Sequence, residues 1–372
     1  MGQRLPSSPP VIPGLTYVSP LGSGGFADVF LYQQDMPRRQ VAVKVLLADL
    51  TDPEMRRMFY AESDLLARLS SHPSILTVYE ASVSADGRPY IAMEYCPVSL
   101  GARFRHDKLK VPAVLDAGVR IACALESAHR VGVLHRDVKP SNILVTDFGT
   151  PVLADFGIAT SLRGSAPGTA AAMSVPWSAP EVVTEKSAGT VASEVWSLGG
   201  TVYSLLAGRS PFERPGAAGQ NSREHLVRRI VRAAYVPTGR ADVPAALDDV
   251  LARTMTREPS GRYGSALEVA QALQGVQHEM GLVPTALEVA GDRWTAERRD
   301  LTLDDSALRG VPRPRVEHTS RRRPGTPAAS RGSGTGTAAV RRRTWPWVVA
   351  ATVAAVAVLV GGVVALALTG VI

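Results

Sequence analysis

Cysteine is almost missing from this chain, which has only Cys96 and Cys123 among its 372 residues. Two cysteines offer no disulfide framework, and their scarcity suggests a reducing compartment. The first 14 residues are rich in proline and serine and lack the apolar core of a secretory signal peptide, so we expect residues 1–14 to be disordered. Internal repeats are also missing, which excludes a sensor built as a repeat array.

Excess basic charge is missing from most of the chain, although the whole carries a formal net charge of +7. The segment from Val311 to Arg343 contains nine arginines and one glutamate, a net +8, so the remaining residues sum to −1. A nucleic-acid-binding domain would carry positive charge on a folded face. The charge distribution therefore predicts no nucleic-acid partner.

Composition divides the chain into segments of different character. Residues 15–275 carry alternating strand and helix patterns, which predict a folded domain. Residues 310–343 consist mainly of Arg, Pro, Gly, Ser and Thr and have little to bury, which predicts a flexible juxtamembrane linker. Residues 276–309 are ambiguous: they either pack on the domain as a C-terminal extension or are partly disordered.

The C-terminal end contains an apolar run, Val348–Leu368, in which 21 residues carry no charge. As a helix it would be about 31 Å long, which matches the hydrocarbon core of a bilayer. The alternative is a buried core helix, but such a helix would have polar residues on some face. We therefore expect a transmembrane helix over residues 345–369, with a short extracytoplasmic tail over 370–372.

Basic residues indicate the orientation of this helix. Arg341, Arg342 and Arg343 precede it directly, so the positive-inside rule places the N-terminal part of the chain in the cytoplasm, at the plasma membrane. The arginines of the linker are also candidates for contact with anionic lipid headgroups.

The most specific pattern is His135-Arg136-Asp137-Val138-Lys139-Pro140-Ser141-Asn142, followed by Asp155-Phe156-Gly157. It places one base and two metal ligands at fixed separations, as in H-R-D-x-K-P-x-N with a later D-F-G. In these motifs the chain resembles the eukaryotic-type serine/threonine protein kinases, particularly the membrane-anchored ones of bacteria. The resemblance implies an α+β, bilobal protein-kinase fold, with a small antiparallel β lobe containing one helix (about 15–95) and a larger, mainly helical lobe (about 96–275).

A second Asp-Phe-Gly occupies residues 147–149, and only one of the two aspartates can hold a metal. The apolar runs Ile143–Val145 and Val152–Ala154 read as the two strands of a hairpin, which would return Asp155 to Asn142. Asp147 would then lie at the tip of the hairpin, roughly 15 Å away. The hairpin therefore favours Asp155 as the ligand and makes Asp147 a turn residue, with Gly149 supplying a positive φ.

The resemblance assigns a role to each polar residue of the catalytic loop, because phosphoryl transfer from ATP needs positioning and charge neutralisation. Asp137 would orient the substrate hydroxyl and accept its proton, while Lys139 would steady the transferring phosphoryl group. Asn142 and Asp155 would hold Mg²⁺, with Mn²⁺ as an alternative. Lys139 favours serine and threonine acceptors in proteins, including the chain itself, over tyrosine.

The N-terminal part reads as an antiparallel sheet with one inserted helix. The expected elements are strands Tyr17–Leu21, Asp28–Gln33, Gln40–Leu47, Leu76–Val83 and Pro89–Tyr95 and a helix, Pro53–Ser70. Between the first two strands lies a glycine-rich loop whose backbone amides can approach phosphate oxygens. It comprises Leu21, Gly22, Ser23, Gly24, Gly25, Phe26, Ala27, Asp28 and Val29. Ala27 replaces the family's third glycine, so we expect a slightly stiffer loop.

Lys44 lies in an otherwise apolar strand and needs anionic partners, because an unpaired buried ammonium is costly. Glu62 is the expected protein partner, since the apolar residues of its helix turn it toward the sheet. Glu54, near the helix start, is the competing candidate. By the resemblance, Lys44 contacts the α- and β-phosphates of ATP.

The same resemblance predicts the adenine site. Met93, Glu94 and Cys96 would form the hinge between the lobes, where backbone groups of Glu94 and Cys96 bind adenine and Met93 guards the pocket behind it. Val29, Ala42 and Leu144 would enclose the ring, although these apolar residues would also suit an ordinary core.

The segment between Asp155 and Glu181 corresponds to the activation segment of the family. Ser165 and Thr169 are phosphorylation candidates, although each is equally a solvated loop residue. Arg136 could pair with a phosphate there and order the segment. Ser174 aligns with the hydroxyl that supports the catalytic aspartate and lysine.

Two further positions concern structural support. Glu181 and Arg262 match a buried ion pair that ties the activation segment to the helical lobe. Glu194 stands where the family usually has an aspartate that accepts hydrogen bonds from the catalytic-loop backbone. Its additional methylene could displace the loop, and misplacements of about 1 Å can lower the rate markedly.

Four functions stay open at this point. The favoured one is an active, membrane-tethered serine/threonine protein kinase in signal transduction. The second is a pseudokinase scaffold without turnover, which rests on Glu194 and Ala27. The others are a small-molecule phosphotransferase and a structural membrane adaptor on the same fold. Dimerisation is open in each case.

Overall fold

Five strands in the first 94 residues pair into one antiparallel sheet. The structure is a computed structural model that describes residues 4–25, 27–47, 53–156, 174–216 and 219–290, with the backbone alone for 53–58, 61 and 62. The strands are β1 (Leu15–Ser23), β2 (Ala27–Gln34), β3 (Arg39–Leu46), β4 (Val78–Val83) and β5 (Pro89–Glu94), in the order β1-β2-β3-β5-β4. Helix α1 (Pro53–Leu69) lies between β3 and β4 in the chain and buries Phe59, Leu66 and Leu69. The predicted small lobe is confirmed, and every element begins and ends within two residues of its expected position.

A second, three-stranded sheet carries the predicted hairpin. It consists of β6 (Val98–Ser99), β7 (Ile143–Val145) and β8 (Pro151–Leu153), with Ile143 paired to Leu153. Gly149 has a φ of +80° in the turn, next to Phe148, which is 96% exposed. On the return, the Ala154 N–H donates to the Asn142 carbonyl at 2.8 Å. The first Asp-Phe-Gly therefore lies at the exposed tip, and Asp155 lies two residues after the end of β8.

The larger lobe is built from helices. They are α2 (Leu100–Arg103), α3 (Val111–Arg130), α4 (Pro180–Val183), α5 (Val191–Ala207), α6 (Arg223–Arg232), α7 (Ala245–Thr254) and α8 (Ala266–Glu279). Helix α5 is buried on most faces and contains the fully buried Trp196 and Tyr203. A Cβ at Gly199 would lie 1.9 Å from Thr254 Oγ1, so α5 and α7 can approach this closely only because residue 199 is glycine. The bilobal α+β fold is confirmed.

The residues after α8 continue the fold. Residues 281–290 form a C-terminal strap across α3 and α8. Within it, Thr285 Oγ1 donates to Asp116 Oδ1 at 2.9 Å, and the Ala290 N–H donates to Ser127 Oγ at 2.9 Å. The Glu288 carbonyl lies 2.6 Å from Nε2 of His72, in the loop between α1 and β4. Of the two alternatives left open for 276–309, packing applies to residues 276–290.

The N-terminal segment contradicts the expected disorder for residues 4–14. Residues 4–12 form an N-terminal arm on the outer face of the five-stranded sheet, where Ile12 is 3% exposed and packs with Phe30 and Tyr32. Tyr32 Oη donates to the Pro10 carbonyl at 2.6 Å. Proline and serine indicated disorder, but proline also suits an extended segment that needs no ladder hydrogen bonds. The apolar sheet face supplies the burial that this segment lacks by itself.

The chain divides into two units, Met1–Asp304 and Asp305–Ile372. All described residues lie in the first unit. Among the described residues, no helix has the length and apolar character needed to cross a membrane. The predicted linker (310–343) and transmembrane helix (345–369) lie outside the described residues.

The C-terminal strap should contribute measurably to stability. Thr285 is 8% exposed, and its hydroxyl contacts both Asp116 and Gln277 at 2.9 Å. Thr285→Val keeps the shape but leaves these groups without that partner, so we expect the free energy of unfolding to fall by about 1–3 kcal/mol, measured by urea titration.

The matched control is Val283→Thr on the same strap, where the side chain is 91% exposed. This reverse exchange should change the free energy of unfolding by less than about 0.5 kcal/mol. Equal effects from the two variants would contradict docking of the strap.

Candidate active site

One buried carboxylate holds the catalytic loop. Glu194, on α5, is 3% exposed, and its Oε1 accepts the Arg136 N–H at 2.5 Å. Its Oε2 lies 2.6 Å from Nε2 of His129, in the last turn of α3. The glutamate thus makes the backbone contact that the resemblance assigned to an aspartate. His129 was not among the residues expected from sequence; the need of a buried carboxylate for a second partner is the signal that could have identified it.

His135 joins the catalytic loop to the segment that carries Asp155. It is fully buried, its Nε2 lies 2.9 Å from the Ala154 carbonyl, and its Nδ1 accepts the Asp137 N–H at 3.2 Å. Both contacts require the neutral tautomer with hydrogen on Nε2. Burial lowers the pKa of His135, which favours that neutral form. His135 therefore orients Asp137, a role the sequence motif alone did not identify.

Four polar side chains converge at the predicted transfer site. Lys139 Nζ lies 2.6 Å from Asp137 Oδ2 and donates to Ser174 Oγ at 2.8 Å. Asn142 Nδ2 donates to the Asp137 carbonyl at 2.8 Å and to its Oδ2 at 3.1 Å. The structure therefore brings together Asp137, Lys139, Asn142 and Ser174, as the motif spacing predicts.

Lys44, on β3 of the small lobe, contacts Asp155. Its Nζ lies 2.7 Å from Asp155 Oδ1, and the lysine charge is the main cause of the lowered pKa of Asp155. Asp155 has a φ of +62°, an uncommon conformation for a residue with a side chain. Glu62 lies on α1 as predicted, but its side chain and that of Glu54 are outside the described ones, so their pairing stays a prediction.

The same donor set suits a hard cation. The Asn142 Nδ2 atom donates to Asp137, so the amide oxygen of Asn142 is the atom that would bind a metal. Asp155 adds a carboxylate whose side chain is 47% exposed. Magnesium typically takes one or two protein oxygens and completes its shell with phosphates and water. One amide oxygen and one carboxylate are ligands of this kind, so Asn142 and Asp155 fit a magnesium ion shared with a phosphate ligand.

An apolar slot lies between the two sheets. Its cluster contains five residues predicted around adenine, Val29, Ala42, Met93, Cys96 and Leu144, and four that were not, Leu76, Tyr95, Val152 and Ala154. Burial raises the pKa of Cys96 to about 12, so the thiol is neutral. The Glu94 N–H donates to the Thr77 carbonyl at 2.9 Å, so this N–H already has a protein partner. The slot has the apolar lining that a planar base requires.

The glycine-rich loop closes between β1 and β2, where the Gly24 N–H donates to the Ala27 carbonyl at 2.9 Å. Ser23 and Asp28 pair at its base, while Leu21 is 42% exposed and Phe26 lies outside the described residues. Asp28 belongs to the predicted phosphate-binding loop, and its ATP contact stays a prediction, while its side chain has another role. Asp28 is fully buried beneath the N-terminal arm, where it accepts hydrogen bonds from Arg4 and Ser7.

The supporting ion pair joins Glu181 to Arg262 through two hydrogen bonds, of 2.7 and 2.8 Å. Arg262 is 3% exposed and also donates to the carbonyls of Thr256 and Ala192, so its donors are well satisfied. The Arg136 side chain is exposed. Ser165 and Thr169 lie outside the described residues, so their phosphorylation stays a prediction.

Comparison with known proteins adds to this geometry. The protein kinase domain family matches residues 15–279. The chain is 39% identical over 290 residues to serine/threonine-protein kinase PknK of Mycobacterium bovis, covering 75% of this chain and 25% of PknK. It is 35% identical over 315 residues to serine/threonine-protein kinase PknB of Mycolicibacterium smegmatis, covering 79% of this chain and 48% of PknB. The chain thus spans a quarter to a half of the curated relatives it matches.

A solved structure shows the same fold. The kinase domain of Mycobacterium tuberculosis PknI, in a mutant form, superposes with a TM-score of 0.53 and 31% sequence identity. The match covers 73% of this chain and 99% of the PknI chain.

The Glu194 contact should control the rate of phosphoryl transfer. Glu194→Ala leaves the Arg136 N–H and His129 without their shared partner, so we expect kcat to fall by at least about tenfold through displacement of Asp137. His129→Ala removes one contact only and should cost less. Steady-state kinetics of both single variants and the double variant measure this. Additive effects of the two substitutions, or an unchanged kcat in Glu194→Ala, would contradict the role of the Glu194 contacts with Arg136 and His129.

Proposed function

The chain belongs to the eukaryotic-type serine/threonine protein kinases of bacteria, and we propose that it transfers the γ-phosphoryl group of Mg-ATP to serine and threonine hydroxyls of proteins, including its own. The observation that carries this proposal is that Lys139 and Asn142 both contact the carboxylate of Asp137 in the larger lobe. Lys44 contacts Asp155 from the small lobe.

Each residue contributes positioning or charge. Asp137 orients the acceptor hydroxyl and takes its proton, and the Asn142 and Lys139 contacts restrict its carboxylate to one geometry. Lys139, also held by Ser174, neutralises charge on the transferring group. When bound, Mg²⁺ held by Asn142 and Asp155 would neutralise phosphate charge. Lys44 supplies a positive charge from the small lobe, and the apolar slot orients the adenine base.

The proposal is preferred over a scaffold without turnover. That alternative rested on Ala27 and Glu194, yet the Ala27 carbonyl accepts the hydrogen bond that closes the glycine-rich loop, and Glu194 contacts the catalytic-loop backbone. Neither residue is placed where it would obstruct the site.

We also propose that the kinase is tethered to the cytoplasmic face of the plasma membrane and acts in signal transduction. The uncharged run within residues 345–369 and the preceding arginines support this. The arginines of the linker would add affinity for anionic lipids at about 1 kcal/mol per residue near the surface.

The two Asp-Phe-Gly motifs provide a matched test of turnover. Asp155→Asn and Asp137→Asn should each reduce incorporation of radiolabelled phosphate from ATP into the chain or a protein substrate by at least about 100-fold. Asp147→Asn, the same change at the exposed hairpin tip, should leave incorporation unchanged. Loss in the Asp147 variant alone would reverse the assignment of the metal ligand, and no incorporation by the wild type would favour the scaffold.

Membrane tethering has its own test. The full chain should fractionate with membranes after a high-salt wash, whereas deletion of residues 345–369 should release it. The deleted form should still bind vesicles containing anionic lipid at low salt, and replacing Arg321, Arg322 and Arg323 should weaken that binding. Recovery of the full chain in the soluble fraction would refute the tether, and an unchanged salt profile would refute the lipid contact.

A further inference from the structure

The glycine-rich loop stands on a weakly anchored strand. β1 is an edge strand whose residues are half-buried or exposed throughout, whereas β2 is largely buried. Side-chain packing therefore fixes only one of the two strands that flank the loop. A phosphate-binding loop must hold its backbone amides in a defined position, so the β1 side requires another source of order.

The N-terminal arm contacts both sides of the loop base. Arg4 donates to the carboxylate of Asp28 on the β2 side and to the Gly24 carbonyl, at 3.4 Å, on the β1 side. Ser23 Oγ donates to the Arg4 carbonyl at 2.9 Å. Ser7 donates to Asp28 Oδ2 through its N–H at 2.8 Å and its hydroxyl at 2.7 Å. The arm thus joins Ser23, Gly24 and Asp28 by hydrogen bonds that do not belong to the sheet ladder.

Asp28 is the centre of this cluster. It is fully buried, and burial by itself would raise the pKa of its carboxyl. The hydrogen bonds from Ser7 and the charge of Arg4 act the other way, so its pKa lies below the ordinary value and the carboxylate is ionised. A buried carboxylate attracts its donors strongly, because losing one leaves desolvated charge.

The arm is itself anchored at a distance from the loop. Arg88, in the turn before β5, donates to Ser7 Oγ at 2.9 Å and to the Ser8 carbonyl at 2.8 Å. Pro10 accepts from Tyr32, and Ile12 packs into the sheet face. The arm is therefore held at Ser7, Ser8, Pro10 and Ile12 by residues that lie outside the glycine-rich loop.

We propose that the N-terminal arm positions the nucleotide-binding loop, with Arg4 and Ser7 acting through Asp28 as positioning residues for the phosphates of ATP. The inference rests on the proposed function, because it assumes that this loop binds ATP. It assigns a role to residues that precede the family match, which begins at residue 15. Removing the Arg4 contact frees the loop without touching the transfer site, so nucleotide affinity changes while the chemical step does not.

The test compares Arg4→Ala with Leu5→Ala, its neighbour on the arm, whose side chain is 84% exposed. Arg4→Ala should raise KM for ATP at least about fivefold, with kcat and KM for the protein substrate unchanged. Arg4→Ala removes a donor of the buried Asp28, so its thermal midpoint without nucleotide should fall. The further stabilisation by Mg-ATP, measured from each variant's own nucleotide-free midpoint, should shrink. Leu5→Ala should match wild type throughout, and Arg4→Lys should recover part of the ATP affinity.

A second measurement separates this inference from the proposed function. In a double-mutant cycle, Arg4→Ala and Asp28→Asn should have less than additive effects on KM for ATP, because both remove the same ion pair. An Arg4→Ala variant with wild-type KM for ATP, or one whose kcat falls as its KM for ATP rises, overturns the positioning role. If the wild type transfers no phosphate, the proposed function fails, and the dissociation constant of Mg-ATP measured by calorimetry in the same variants decides the inference.

Discussion

The arrangement of the active site depends on a carboxylate that never contacts substrate. Glu194 projects from the central buried helix α5 and accepts a backbone hydrogen bond from Arg136, whose φ of +66° lies in the left-handed region. Such a conformation costs free energy for a residue with a side chain, and it persists because the surrounding contacts determine it. Arg136 is followed directly by Asp137, so the direction of the base is set by the helix beneath it.

Further polar contacts connect the catalytic loop to the small lobe. His135 links Asp137 to Ala154, the residue before Asp155, and Asp155 in turn contacts Lys44 in the small lobe. The core of the helical lobe is thus connected to the sheet through a few side chains, each with identified partners. Connected, satisfied networks of this kind favour one geometry over its neighbours, which is the requirement of a site that works by positioning.

Local patterns predicted much of this structure. Apolar periodicity and turn chemistry placed the hairpin, and the hairpin distinguished Asp155 from Asp147. The family resemblance predicted the contact of Lys139 with Ser174 and the ion pair of Glu181 with Arg262. What escaped prediction are contacts between distant residues that no motif specifies. His129 meets Glu194 across 65 positions, and Lys44 meets Asp155 across 111. No periodicity encodes such pairs, because the first exists only after α3 has packed against α5 and the second only after the small lobe has packed against the larger one.

The C-terminal strap after α8 affects the order in which parts of the protein fold during synthesis. Its carbonyl at Glu288 pairs with His72, a partner 216 positions earlier. During synthesis the small lobe leaves the ribosome first, and a contact of such sequence separation forms late. Until then His72, and Asp116 and Ser127 on α3, lack their contacts with the strap. The nascent kinase therefore passes through a stage in which its catalytic residues are all present while its fold is still incomplete.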